Sequence, residues 1–167
     1  MKYIKDYLTD SKKLSLINGI SCIGKSYFIE KYNLIPVARL SNHPGGRDGK
    51  FFHGMLCMGR KATDELPEPW SKLYDFKAIV LGVPYYVWLE RVEKDLKGGR
   101  KPRRILGLEK TYKLNKNASD PINSFKAGTE KLISKLDDYD IPYFLVDSRN
   151  NYPILDKSSF LAMLTEE

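Results

Sequence analysis

The residues whose types and spacing most clearly do chemistry are Gly19, Gly24, Lys25 and Ser26, in the run Gly19-Ile20-Ser21-Cys22-Ile23-Gly24-Lys25-Ser26. The pattern is G-x-x-x-x-G-K-S. Glycines at its two ends let the backbone take conformations closed to residues with a Cβ, so successive N–H groups can turn inward around an anion. Lys25 adds a mobile positive charge for β- and γ-phosphates, and the Ser26 hydroxyl is a hard oxygen ligand for Mg²⁺. The whole run Gly19, Ile20, Ser21, Cys22, Ile23, Gly24, Lys25, Ser26 and the following Tyr27 forms the candidate nucleotide contact. An accidental glycine-rich turn is the competing reading. The flanks argue against it: the apolar Leu14 to Asn18 reads as a strand, and Ser26 to Tyr32 reads as a helix whose positive dipole end adds to an anion site.

A second signal is charge. The chain has 167 residues and a formal net charge of +7. Between Arg91 and Lys116 there are ten Lys/Arg against three Asp/Glu, so this one segment carries the whole excess. A local basic segment implies a local anionic partner, either nucleotide phosphates or a nucleic-acid backbone. The length suits one domain over residues 1–167. No apolar run is long enough to span a membrane, and the first residues lack an apolar signal-peptide core. Cys22 and Cys57 lie in the glycine loop and in an expected strand, so they are expected to be reduced, in a cytoplasmic protein.

The elements that must position these groups follow from periodicity. Tyr3, Ile4, Tyr7 and Leu8 recur at helical spacing. Leu34 to Leu40 is an expected strand, with Pro36 placing it towards a sheet edge. Ser41 to Lys50 is turn chemistry, and His53 to Gly59 is an expected third strand. Residues 60–75 are expected to form an irregular connection with a short helix. Lys77 to Val83 is the clearest strand after the first, and Pro84 starts a helix ended by Gly98-Gly99. Arg100-Lys101-Pro102-Arg103-Arg104 interrupts regular structure, and the stretch to Lys116 is expected to be mixed. Asp120-Pro121 starts a helix to about Asp138, Ile141 to Val146 is the last expected strand, and a short helix around Phe160 to Leu164 closes the chain. Strands alternating with helices predict a three-layer α/β/α domain with a mainly parallel, five-stranded sheet.

In the phosphate loop Gly19 to Ser26, the late strand Ile79 to Val83 followed at once by a helix, the arginine-rich segment after it and the closing helix–strand pair Asp120 to Val146, the chain resembles the small P-loop kinases. That group includes nucleoside-monophosphate, shikimate, gluconate and polynucleotide kinases. The resemblance implies a kinase fold, ATP and Mg²⁺ as cofactors, and an arginine-rich lid over residues 97–118. The family often carries a carboxylate after its third strand; here Met58-Gly59-Arg60 has none. The guanine-reading N-K-x-D is absent, since Asn115-Lys116-Asn117-Ala118 lacks the Asp.

Phosphoryl transfer needs positioning and positive charge more than covalent chemistry. Lys25 and Ser26 serve the donor. Asp48 is the candidate base for the acceptor hydroxyl, resembling the Asp that several of these kinases place after the second strand. Arg39 and Arg47 are candidates for acceptor phosphate. Arg100, Arg103 and Arg104 are candidates for the transition state, because guanidinium groups bind phosphate bidentately, and Arg91 is a candidate substrate-binding residue that joins them from the preceding helix. Asp147, at the end of the last strand, is expected to cap a helix or a turn. His43, His53 and Cys57 show no fourth ligand for a metal. Tyr85 and Tyr86 are candidates to stack on bases.

The expected activity is transfer of the ATP γ-phosphate to a nucleic-acid-related acceptor: a DNA or RNA hydroxyl at a 5′ end or on a hydroxymethylated base, or a free nucleotide or nucleoside. Kinases acting on polymer hydroxyls occur in bacteriophages, whose small Lys-, Asn- and Tyr-rich chains this sequence resembles. A small-metabolite kinase and a nucleotide-binding regulatory protein without transfer activity are the alternatives.

Overall fold

The computed structural model describes residues 1–10, 14–20, 23–39, 56–59, 78–98, 102–138 and 140–167, with side chains placed for all of these except 9–10, 14–16, 35–39, 56–59 and 102–107. The elements in chain order are α1 (Ile4–Asp10), β1 (Leu14–Asn18), α2 (Lys25–Lys31), β2 (Ile35–Arg39), β3 (Leu56–Gly59), β4 (Ala78–Gly82), α3 (Tyr85–Lys97), α4 (Pro102–Lys116), α5 (Pro121–Asp138), β5 (Tyr143–Asp147), β6 (Ile154–Leu155) and α6 (Lys157–Leu164).

The strands form one sheet in the order β2-β3-β1-β4-β5-β6. β4 lies between β1 and β5 and is parallel to both. All five of its residues are buried, as a strand covered on both faces requires. This explains why Ala78 to Gly82 is continuously apolar. β3 runs antiparallel to β1 and to β2, and β6 returns antiparallel to β5. Four strands therefore share one direction and two oppose it. The sheet is mostly parallel, as expected, and the described residues give it six strands where five were expected. β3 enters the sheet reversed, and β6 is a two-residue strand too short to leave a periodic signal. Pro36 does lie on the edge strand, and the register shifts between Pro36 and Ala38, where a missing N–H interrupts the ladder.

Local chemistry sets several element ends. Asn33 takes a left-handed φ of 52° just after α2, and its N–H donates to the Glu30 carbonyl, a common way to stop a helix. Asp120 accepts from the Asn123 N–H at 3.1 Å and so caps α5, with Pro121 at the first helical position. Asp156 caps α6 by accepting from the Ser159 N–H at 2.8 Å. Those bonds, backbone first, hold its carboxyl below the usual Asp range.

The segment 97–118 differs from its expected mixed character. Pro102 opens a fifteen-residue helix, α4. Proline lacks an N–H, but the first turn of a helix has no acceptor for one, so a proline there forfeits no intrahelical bond. The second half of α4 is docked. Leu108 is buried, and Asn115, 6% exposed, accepts from Tyr85 Oη at 2.8 Å and donates to the Pro121 carbonyl at 2.9 Å. Tyr112 donates to Glu93 at 3.0 Å. Asn115 thus ties α3, α4 and the start of α5 together.

The core under α3 and α5 is aromatic. Trp88 is buried, with Phe125 at 5.1 Å between ring centroids and Tyr85 at 5.9 Å. Under β4, Phe160 of α6 packs so closely on Gly82 that a Cβ there would lie 2.5 and 2.7 Å from two of its ring carbons. No helix among the described residues is long and apolar enough to cross a membrane.

Overpacking against a rigid ring costs roughly 1–3 kcal/mol. Gly82→Ala should therefore lower stability by about that much in a urea titration, and Phe160→Leu in the same chain should recover part of the loss. A Gly82→Ala variant as stable as the parent would refute the close packing of β4 on α6.

Candidate functional site

In an open α/β sheet, ligands bind beyond the carboxyl ends of the strands, where the connections turn to opposite sides. Here β1 leads through α2 towards β2 and β3 on one side, while β4 and β5 lie on the other. The loop after β1 therefore leaves the sheet at this switch point. It is the glycine-rich run 19–26.

The described part of the loop is closely fitted. Asn18, 1% exposed, accepts from the Gly19 N–H at 2.8 Å. A Cβ on Gly19 would fall 2.7 Å from Ile23 Cγ2 and 3.2 Å from the Leu81 carbonyl oxygen, so a side chain there would push the loop off β4. Gly24 has φ 106° and ψ 20° and is the residue before α2. That left-handed conformation strains any residue with a Cβ. Its carbonyl then accepts from the Phe28 N–H at 3.0 Å.

Lys25 folds back on the loop. Its Nζ donates to the Gly19 carbonyl, and to the Ile20 carbonyl at 3.2 Å. Two carbonyl dipoles of its own loop thus face the ammonium group. Ser26 is exposed on the first turn of α2, and Tyr27 next to it is 65% exposed. Ile20 is half-buried and Ile23 is 1% exposed, both packed on the core. Ser21 and Cys22 lie outside the described residues.

Among the described residues, two side chains from other elements bond to the loop. Arg91 of α3 donates from Nη1 to the Ile23 carbonyl at 2.9 Å. Ser148, the residue after β5, donates from Oγ to the same oxygen at 2.9 Å. The Ser148 N–H donates to the Gly82 carbonyl, so the ends of β4 and β5 are bonded together beside the loop. Sequence reasoning placed Arg91 at the site as a phosphate ligand, whereas this nitrogen is bonded to the loop itself. It missed Ser148, whose one signal was its position directly after an apolar strand.

Asp147 is 7% exposed and accepts from Arg149 three times: from its N–H at 2.9 Å, Nε at 3.0 Å and Nη2 at 2.9 Å. It caps the turn after β5, as expected. The turn continues through Asn150, Asn151 and Tyr152 at φ 47°, 68° and 59°. Asparagine tolerates this region, but tyrosine does not do so readily. Tyr152 is fixed by its N–H to the Arg149 carbonyl, by its carbonyl to the Ile4 N–H, and by its ring against Phe28 at 5.1 Å and Tyr32 at 5.8 Å. The backbone strain is therefore held by packing against the helix that leaves the glycine loop.

Of the remaining candidates, Tyr85 packs with Phe125 and bonds Asn115, which makes it a core-edge residue. Tyr86 is 48% exposed and lies 3.5 Å from Arg149 Nη1. Arg39 ends β2, and Arg103 and Arg104 fall in the first turn of α4, with their side chains outside the described set. Arg47, Asp48, Arg100, His43 and His53 lie outside the described residues, as does the Cys57 side chain. Among the described residues, no three His, Cys, Asp or Glu are grouped to hold a metal. Ser26, the one residue named for Mg²⁺, offers a hydroxyl oxygen of the hard type that this ion takes.

No protein-family model, curated protein or solved structure matches the chain.

Burial, with smaller contributions from Tyr27 and Tyr32, pushes the Tyr152 hydroxyl up to about 12, partly opposed by Arg91. An unfolded tyrosine ionises near 10, so the unfolded chain gives up its proton first as pH rises. The resulting stability is present below about pH 10 and is lost between about 10 and 12. Tyr152→Phe should flatten that alkaline loss by ~2 kcal/mol in pH-dependent melts, and parallel curves for both proteins would refute the assignment.

Proposed function

We propose that the chain is an ATP- and Mg²⁺-dependent phosphotransferase that moves the γ-phosphate to a hydroxyl or phosphate of a nucleic-acid-related acceptor. One observation carries the reading. The G-x-x-x-x-G-K-S loop leaves the sheet at the switch point beside β4, with Gly24 left-handed and Lys25 folded onto the loop's own carbonyls.

The chemistry follows from the residues. The acceptor oxygen forms a bond to the γ-phosphorus as the bond to the β,γ-bridging oxygen breaks, and the hydroxyl proton passes to a base, for which Asp48 is the candidate. Lys25 exchanges the Gly19 and Ile20 carbonyls for phosphate oxygens, where its charge offsets what develops on them. Ser26 would hold Mg²⁺, which supplies charge neutralisation across the β- and γ-phosphates.

Support for a polymer acceptor comes from the basic segment. Lys94 and Lys97 on α3 and Lys110 and Lys113 on α4 are exposed, and the contacts of Asn115 and Tyr112 hold the two helices together. A phosphate backbone could follow such a surface, and the affinity it contributes would fall with salt.

With labelled ATP and an oligonucleotide acceptor, Lys25→Ala should lower transfer by about 100-fold or more while the chain stays folded by circular dichroism. A folded Lys25→Ala variant that transfers at the parental rate would sink the donor assignment. Asp48→Asn should lower turnover far more than ATP affinity. Oligonucleotide affinity should fall linearly in a double-logarithmic salt plot; a flat plot would move the acceptor to a free nucleotide or nucleoside.

A further inference from the structure

The Ile23 carbonyl is the point where three parts of the fold meet. Arg91 reaches it from α3 and Ser148 from the end of β5, each at 2.9 Å. Two donors fill the two lone pairs of a carbonyl oxygen. Neither donor is loosely placed. Ser148 is 9% exposed and its own N–H is bonded to the Gly82 carbonyl. Arg91 Nη1 would lie only 3.3 Å from a Cβ on Gly24, so it occupies the space that the glycine leaves.

The geometry has a consequence for the next residue. The peptide unit that joins Ile23 to Gly24 is planar, and in a trans peptide the C=O and N–H point to opposite sides. Holding the Ile23 oxygen towards α3 and β5 aims the Gly24 N–H away from them. The left-handed φ of Gly24 then turns the chain into α2. Without the two donors, the peptide is free to rotate, and the carbonyl would present negative charge where an anion needs an N–H.

We infer that Arg91 and Ser148 are positioning residues: together they set the orientation of the Ile23–Gly24 peptide and so aim the Gly24 N–H at bound phosphate. The inference rests on the phosphate-site reading above and deepens it. It assigns Arg91 to the donor side of the site, in place of the arginine-rich lid cluster that it was expected to join. It also gives Ser148, which no motif singles out, a role in binding.

The test separates phosphate recognition from general stability. ADP and adenosine are titrated by competition against a fluorescent ADP analogue. Ser148→Ala should weaken ADP about ten-fold, equivalent to ~1.4 kcal/mol, and leave adenosine unchanged. Ser148→Thr, which keeps the hydroxyl, should restore ADP affinity. Arg91→Met should weaken ADP by a similar factor, and the double variant should lose more than the two single losses combined, because the carbonyl then has no donor. Parental ADP affinity in both single variants, or equal weakening of ADP and adenosine in Ser148→Ala, would overturn the inference. A parent protein that binds neither ADP nor the analogue would overturn the phosphate-site reading itself, and this inference with it.

Discussion

β4 is bounded by a parallel strand on each side and is buried along its whole length. Its backbone groups are satisfied only if β1 and β5 stay in register beside it. That register also brings the carboxyl ends of three strands to one level. The glycine loop leaves β1 there, Pro84 and α3 leave β4, and Ser148 leaves β5. Every polar group described at the site comes from one of these three exits. The same requirement explains the close fits around β4, with Gly82 against Phe160 on one face and the Leu81 carbonyl against Gly19 at the loop.

Hydrogen bonds to backbone carbonyls hold the described part of the site. Lys25 lies on the Gly19 and Ile20 carbonyls, and Arg91 and Ser148 lie on that of Ile23. The carboxylate next to Ser148 in sequence, Asp147, is committed to Arg149. The turn that follows carries left-handed residues up to Tyr152, whose ring braces α2. Conformational strain and fine positioning thus occur in the same short segment.

The basic excess has a structural basis as well as an electrostatic one. α3 and α4 are joined through Tyr85, Asn115, Tyr112 and Glu93, and Lys116 lies over the Tyr112 ring at 5.2 Å with Glu93 at 3.7 Å. Part of the charge is therefore used within the helix pair. Lys94, Lys97 and Lys110 on the same helices are exposed, and Lys113, also exposed, lies 3.3 Å from Glu109. Arg91 begins the basic stretch in sequence but is turned towards the loop, so a count of charges along the chain overstates what one surface offers.

Sequence alone determined the features that depend on short-range chemistry. The ends of β1, the α2 stop at Asn33, the Asp120-Pro121 start of α5 and the edge position of Pro36 each follow from one or two residues and their backbone preferences. The glycine loop belongs to this class, because four residue types at fixed spacing specify it. Tertiary structure decided what depends on contacts between distant residues. The reversed direction of β3 has no local signature, since alternation reads the same from either end. α4 was hidden because a proline marks a break or a first turn equally well, and only the docking of Leu108 and Asn115 against α3 and α5 favours the latter. The bonds from Arg91 and Ser148 to Ile23 span 68 and 125 residues, and no spacing rule reaches that far. Residue types name the chemistry a loop can do, but the packing of β4 between its neighbours chooses the groups that hold it in place.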